Sequence, residues 1–235
     1  MREHNTAALL DQNGPLAQAI EGFRARPQQI AMAQAVELAI DKKQNLIVEA
    51  GTGTGKTFAY LLPALISGRK IIVSTGTRNL QDQLFLRDIP LLLTHLSLDT
   101  RIALLKGRSN YLCLHRMHKQ LESGRFRDRD QIHQLHEIRD WSTRSKSGDI
   151  AELSDIAENS PIWPAVTSTT DNCLGTDCEY IDRCHVLAAR GEAQSADLVV
   201  VNHHLFCADM ALKKEGINDL LPDCDAIVFD EAHQL

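Results

Sequence analysis

The sequence predicts an α/β fold: a doubly wound parallel sheet with flanking helices, interrupted by a mainly helical insert. Short apolar runs alternate along the chain with stretches of helical spacing. The runs end in turns rich in glycine, hydroxyl or acidic residues, at the strand ends where such sheets gather ligands. Residues 107–195 contain no strand-like run and carry four of the six cysteines, a length implausible for a structureless loop.

Taken in order, residues 1–22 form a weakly amphipathic lead-in broken at Gly14-Pro15. Ile30, Ala33, Val36, Ala39 and Ile40 recur at helical spacing, so a helix is expected there. Arg26-Pro27-Gln28-Gln29 lies at its start, and a glutamine amide offers the paired donor and acceptor that an adenine edge requires. Leu46-Ile47-Val48 reads as the first strand. Phe58, Leu61, Leu62, Leu65 and Ile66 then mark a helix. Further strands are expected at residues 70–75, 101–105, 197–201 and 226–229, with a helix through Leu80, Leu84 and Leu86. Three units follow: 1–106, the insert 107–195, and 196–235, which returns to the sheet.

Between the first expected strand and its helix stands Val48-Glu49-Ala50-Gly51-Thr52-Gly53-Thr54-Gly55-Lys56-Thr57. Strand, glycine-rich turn and helix in that order are the context of a P-loop. The glycines let successive N–H groups of residues 50–57 turn inward toward phosphate oxygens, and the helix N-terminus adds its positive dipole end. Lys56 is expected to reach the β- and γ-phosphates, and the Thr57 hydroxyl to ligate Mg²⁺. Ala50 replaces the first glycine of the general pattern. Asp230-Glu231-Ala232-His233 follows the last strand. Neighbouring residues at a strand end point to opposite sides, which allows two roles to be split; Asp230 is expected at the metal and Glu231 as the general base.

Composition narrows the partners. The 235 residues carry a formal net charge of −6, so the surface is not basic throughout. The charge is unevenly placed: residues 101–146 hold eleven Lys/Arg against five Asp/Glu, and 147–197 hold two against ten. A local basic surface for nucleic acid is thus compatible with the acidic total. No apolar segment approaches membrane-span length and no secretion signal opens the chain, so a cytoplasmic protein without a membrane partner is expected.

In such a chain, clustered cysteines point to metal rather than disulfides. Cys113 is followed by Cys173, Cys178 and Cys184, with four and then five residues in the two short gaps. Four thiolates suit either a [4Fe–4S] cluster or structural zinc, and spacing alone leaves both open. Cys207 and Cys224 fall outside this group and are expected as small buried hydrophobes. Trp141, Trp163, Tyr111 and Tyr180 in the insert are expected mainly as core.

The P-loop and the Asp-Glu-Ala-His turn together resemble a superfamily 2 helicase of the DEAH kind. Residues 74–84 resemble that group's motif Ia, and Arg26 with Gln29 match its R-x-x-Q adenine motif. The four cysteines between motif Ia and the DEAH turn are similar to the iron–sulfur branch, the XPD/DinG family, and the likeness runs from Leu16 onward. It implies a RecA-like first helicase lobe, with Lys56, Asp230, Glu231 and His233 catalytic and Arg26, Gln29 and residues 50–57 (Ala50, Gly51, Thr52, Gly53, Thr54, Gly55, Lys56, Thr57) holding ATP. It further implies Mg²⁺ on Thr57 and Asp230, and a [4Fe–4S] cluster on Cys113, Cys173, Cys178 and Cys184. Thr75, Thr77 and Gln83 would contact DNA. The implied activity is ATP-driven 5′→3′ movement on single-stranded or forked DNA, with unwinding, alongside replication or repair proteins. Since the family places a second lobe after the DEAH turn, residues 1–235 alone are expected to unwind nothing. The alternatives are a non-motor module that binds nucleotide and a cluster, or an RNA-directed ATPase.

Overall fold

The computed structural model describes residues 5–51, 53–124, 129–214 and 220–235. They belong to two compact units, Met1–Leu104 with Ala193–Leu235, and Leu105–Glu192. The first unit is built on four parallel strands: β1 (Ile71–Thr75), β2 (Ile102–Leu104), β3 (Leu198–Asn202) and β4 (Ala226–Phe229). Their spatial order is β2-β3-β1-β4.

All five residues of β1 are buried, which explains why this strand reads as a continuous apolar run rather than an alternating one. Its flanking helices are α1 (Thr6–Leu10), α2 (Pro15–Ala19), α3 (Pro27–Lys42), α4 (Lys56–Ile66), α5 (Arg78–Gln83) and α6 (Ile89–Leu96). Ile71, Val73, Leu198 and Val200 join a core with Val36 and Ile40 of α3, Leu61, Leu62 and Leu65 of α4, and Leu92 of α6. The lead-in is part of that core, since Leu10 and Leu16 are fully buried in it. Register matters most at the carboxyl ends: Thr75 pairs with Asn202 and Ser74 with Phe229, so three strands finish level.

The second unit contains α7 (Leu114–Ser123), α8 (Arg129–Ser142), α9 (Trp163–Val166) and most of α10 (His185–Ser195). After α10 the chain returns through β3 to α11 (His203–Lys214). Met117, Leu135, Ile138, Trp141, Ile162 and Trp163 form the core of the second unit. The two indoles also hydrogen-bond, Trp141 Nε1 to Glu152 Oε2 and Trp163 Nε1 to the Ala157 carbonyl, both at 3.0 Å. Tyr111 is buried as well, whereas Tyr180 is only half-buried and stacks on His118 with ring centres 4.9 Å apart. Lys106 Nζ meets Asp149 Oδ2 at 2.7 Å in a buried ion pair. No helix among the described residues is long and apolar enough to cross a membrane.

Three expectations are corrected. Leu46-Ile47-Val48 forms no strand, and Ile47 is 98% exposed. Among the described residues no strand pairs with these three, and composition alone cannot supply a partner for their backbone groups. The helix through Leu84 and Leu86 is interrupted by a π-helical turn, Leu84–Asp88, which shifts the periodicity and leaves Leu86 exposed. Cys207 lies exposed on α11, not in the core.

These burial differences set the expected stabilities. Leu62→Ala should cost about 3 kcal/mol through lost transfer energy and a residual cavity. Ile47→Ala should change stability by less than about 0.5 kcal/mol. Denaturant unfolding of the two variants is the check, and equal losses would restore the strand reading of residues 46–48.

Candidate functional site

The glycine-rich turn is shaped by two left-handed residues, Gly53 (φ 77°) and Gly55 (φ 81°), a region that glycine enters without steric cost. Gly55 is constrained twice, because a Cβ there would sit 2.1 Å from Nε2 of Gln29. That amide donates to the Gly55 carbonyl at 2.9 Å, and Arg26 Nη1 donates to the Gly53 carbonyl. The R-x-x-Q pair at the start of α3 therefore grips the turn's own backbone here, with Gln29 buried and its donor committed to the loop. Thr54 Oγ1 donates to the Gly51 carbonyl at 2.9 Å and closes the turn. Ala50 is half-buried and Gly51 exposed, while Thr52 lies outside the described residues. Lys56 and Thr57 open α4, at the helix end whose free N–H groups favour anions.

The last strand brings its acidic pair to the same place. Lys56 Nζ and Glu231 Oε1 are 2.9 Å apart, although 175 residues separate them in sequence. That hydrogen bond, reinforced by the lysine charge, holds the Glu231 carboxyl below the usual glutamate range. Burial pushes Asp230 the other way; the approach of Tyr60 and the Lys56 charge temper the rise, and the Glu231 charge adds to it. Two adjacent carboxylates are thus driven apart in acidity, the arrangement that assigns different roles to a pair. Asp230 N donates to the Ser74 carbonyl at 2.8 Å, which anchors the turn to β1. Glu231 adopts a left-handed conformation (φ 54°), a strain of about 1–3 kcal/mol of the kind that clusters at functional sites. His233 Nδ1 lies 3.5 Å from Glu231 Oε2.

Sequence reasoning missed Tyr60 on α4. Burial, then the Asp230 charge, raises its pKa well above the ordinary tyrosine value, and its buried hydroxyl has no well-formed hydrogen bond among the described residues. The available signal was its spacing: three residues after Thr57, Tyr60 shares that residue's face of the helix.

Of the three residues expected to meet nucleic acid, only Thr77 is exposed, and its hydroxyl accepts from Leu80 N at 3.2 Å as the N-cap of α5. Thr75 is fully buried. Gln83 Nε2 donates to the buried Asp88 at 3.0 Å and so steadies the π turn.

The thiols lie in the second unit. Burial raises the pKa of Cys113, and charges on Cys178, Cys173 and Cys184 raise it further. Arg108 Nη1 donates to Cys173 Sγ at 3.0 Å, and Gly175 N approaches the same sulfur at 3.5 Å. Arg190 is also near, its own pKa lowered by burial and by Arg108. No group of three or more His, Cys, Asp or Glu among the described residues is arranged to hold a metal ion. What the second unit does supply is four soft thiol donors, one of them, Cys173, already hydrogen-bonded to a guanidinium.

Comparison with known proteins agrees with this geometry. Residues 26–120 match the DEAD/DEAH box helicase family. The chain is 52% identical over 233 residues to the ATP-dependent DNA helicase YoaA of Haemophilus influenzae, covering 99% of this chain and 36% of that protein. It is 52% identical over 223 residues to the YoaA of Escherichia coli, covering 95% and 35%. To the ATP-dependent helicase DinG of Mycobacterium tuberculosis it is 36% identical over 243 residues, covering 92% and 35%. The chain thus spans about a third of the length of these curated relatives.

Asp230 and Glu231 act oppositely on stability. A raised carboxyl pKa means that the charged form is disfavoured by folding, so Asp230 costs stability once pH climbs past the ordinary aspartate range. Glu231, with its lowered pKa, contributes stability above the ordinary glutamate range and loses it as pH falls through its folded value. Asp230→Asn should therefore raise the melting temperature of the nucleotide-free chain at pH 7–8, whereas Glu231→Gln should not. Thermal scans of both variants decide this, and a lower melting temperature for Asp230→Asn would contradict the burial argument.

Proposed function

This chain belongs to the DEAD/DEAH box helicases, in the family of YoaA and DinG, and from that premise we propose that it forms the nucleotide-handling part of an ATP-dependent DNA helicase moving 5′→3′ on single strands. The observation that carries the proposal is the ion pair from Lys56 to Glu231, which joins the P-loop to the DEAH turn. When a triphosphate arrives, Lys56 exchanges the glutamate for β- and γ-phosphate oxygens. Glu231 is thereby released to accept a proton from the attacking water. Asp230 and Thr57 would hold Mg²⁺, which supplies charge neutralisation at the phosphates. His233 stays beside Glu231 and steadies its second oxygen.

Arg26 and Gln29 keep the loop open for phosphate by holding the carbonyls of Gly53 and Gly55. DNA phosphates would lie along the turn of residues 75–77, with Thr77 at its surface. Cys113, Cys173, Cys178 and Cys184 would hold a [4Fe–4S] cluster, whose iron–thiolate bonds tie distant parts of the second unit together. DNA is preferred over RNA through the relatives named above. Since those relatives are about three times as long, residues 1–235 alone are expected to bind nucleotide weakly and to separate no strands.

The decisive experiment is steady-state ATPase of the full-length protein with and without single-stranded DNA. Lys56→Ala and Glu231→Gln should each lower the stimulated rate by about 10²-fold or more. DNA-independent turnover, or equal stimulation by RNA, would move the protein out of this class, and no turnover at all would favour a non-motor module. Iron and sulfide content of anaerobically purified protein tests the thiol assignment. Cys113→Ser and Cys178→Ser should lose visible absorbance and destabilise the second unit, whereas stoichiometric zinc in place of iron would overturn the cluster.

A further inference from the structure

Ser74 is the point where the two working edges of the sheet meet. It lies on β1 between β3 and β4 and is fully buried. Its carbonyl accepts from Asp230 N at 2.8 Å. Its hydroxyl lies 2.7 Å from Nδ1 of His203, itself only 4% exposed. His203 opens α11 next to Asn202, whose Oδ1 accepts from Leu205 N at 2.7 Å and caps the helix. The His203 ring is 6.2 Å from that of Phe229, the residue before Asp230, and Phe206 meets Phe229 edge-on at 5.0 Å. One residue beyond Ser74 the chain enters the turn of residues 75–77. A Cβ on Gly76 would fall 1.9 Å from Gln234 Oε1, so this turn is also pressed against the residues that follow the acidic pair.

From this geometry we infer that His203 is a positioning residue that couples occupancy of the turn at residues 75–77 to the acidic pair Asp230-Glu231, through Ser74. The inference rests on the helicase reading and deepens it. A bond between two buried side chains in a low-dielectric setting fixes Ser74 in one place. Any displacement of Thr75 and Gly76 by a bound phosphate chain must be taken up at Ser74, and Ser74 holds the Asp230 amide. Among the described residues, two buried polar atoms of the same segment, His203 Nε2 and Thr75 Oγ1, have no hydrogen-bond partner. Native proteins rarely leave such groups unpaired, and a shift of β1 against α11 that pairs them would supply the two-state element that coupling requires. His203 touches neither phosphate nor metal in this scheme.

The test uses the full-length protein and two readouts: ATPase rate, and affinity for a fluorescent Mg·nucleotide, each with and without single-stranded DNA. His203→Ala should cut the DNA-dependent change in both by about tenfold, leaving basal turnover and DNA-free nucleotide affinity within about twofold of wild type. His203→Asn, whose amide can replace Nδ1 as partner of Ser74, should recover most of the coupling. Should His203→Ala fail to fold, Ser74→Ala removes the same bond with less disturbance and carries the same expectation. Unchanged coupling in His203→Ala or Ser74→Ala would overturn the inference, as would equal loss of basal and stimulated turnover. Wild-type protein that ignores DNA in both readouts would overturn the helicase reading itself, and this inference with it.

Discussion

The constraint on which the site depends is the level finish of β1, β3 and β4. Because Ser74 pairs with Phe229 and Thr75 with Asn202, the residues that follow each strand emerge on one edge. That edge lets Glu231 reach Lys56 across a sequence separation of 175 residues. The pair is about 28% exposed on each side, and at such exposure an ion pair contributes about 1 kcal/mol or less. It is therefore a poor stabiliser and an easily displaced contact. Under the proposed function, a triphosphate offering several oxygens to Lys56 would outcompete one glutamate oxygen, and the weakness of the bond suits such an exchange.

Acidity and backbone strain are arranged around the same edge. Burial works against ionised Asp230 while Lys56 works for ionised Glu231, so the two neighbours differ before any ligand binds. Glu231 occupies a left-handed conformation that a glycine would adopt more cheaply. Such strain persists only where surrounding bonds over-determine it, and here they include the Asp230 amide on Ser74 and the Lys56 contact. The structure accordingly holds its carboxylates ready at a cost in stability, a common trade between activity and ruggedness.

What could be read from sequence followed from how each signal arises. Runs at 71–75 and 198–202 were legible because parallel strands flanked on both sides by other strands read as unbroken apolar stretches, and 226–229 reads the same way although β4 ends the described sheet with Ile227 and Phe229 exposed. Leu46-Ile47-Val48 has the same local composition, yet pairing decides strand formation and among the described residues no strand pairs with it. The exposure of Leu86 was hidden because a π turn adds a residue to the repeat, which no 3.6-residue template anticipates. The P-loop and the acidic pair were visible as spelled motifs. The roles of Gln29 as a clamp on Gly55 and of Ser74 as an anchor for Asp230 were not, since both depend on contacts between residues far apart in the chain. Lys106 and Asp149 were silent for the same reason.

Buried polar atoms complete the argument. Leaving a buried donor or acceptor unpaired costs about 1–3 kcal/mol, large against a net stability of about 5–15 kcal/mol. Among the described residues Thr75 and His203 each carry such an atom, whereas the Tyr60 hydroxyl is directed at Asp230. Tyr60 faces the aspartate, Thr75 begins the exposed turn, and His203 holds the serine between them. A core selected for stability alone would place apolar side chains of similar size at these positions, because removing both partners of a buried polar contact is close to neutral. Retaining a threonine and an imidazole on this edge accords with the coupling proposed above, in which His203 and Ser74 link the turn of residues 75–77 to the amide of Asp230.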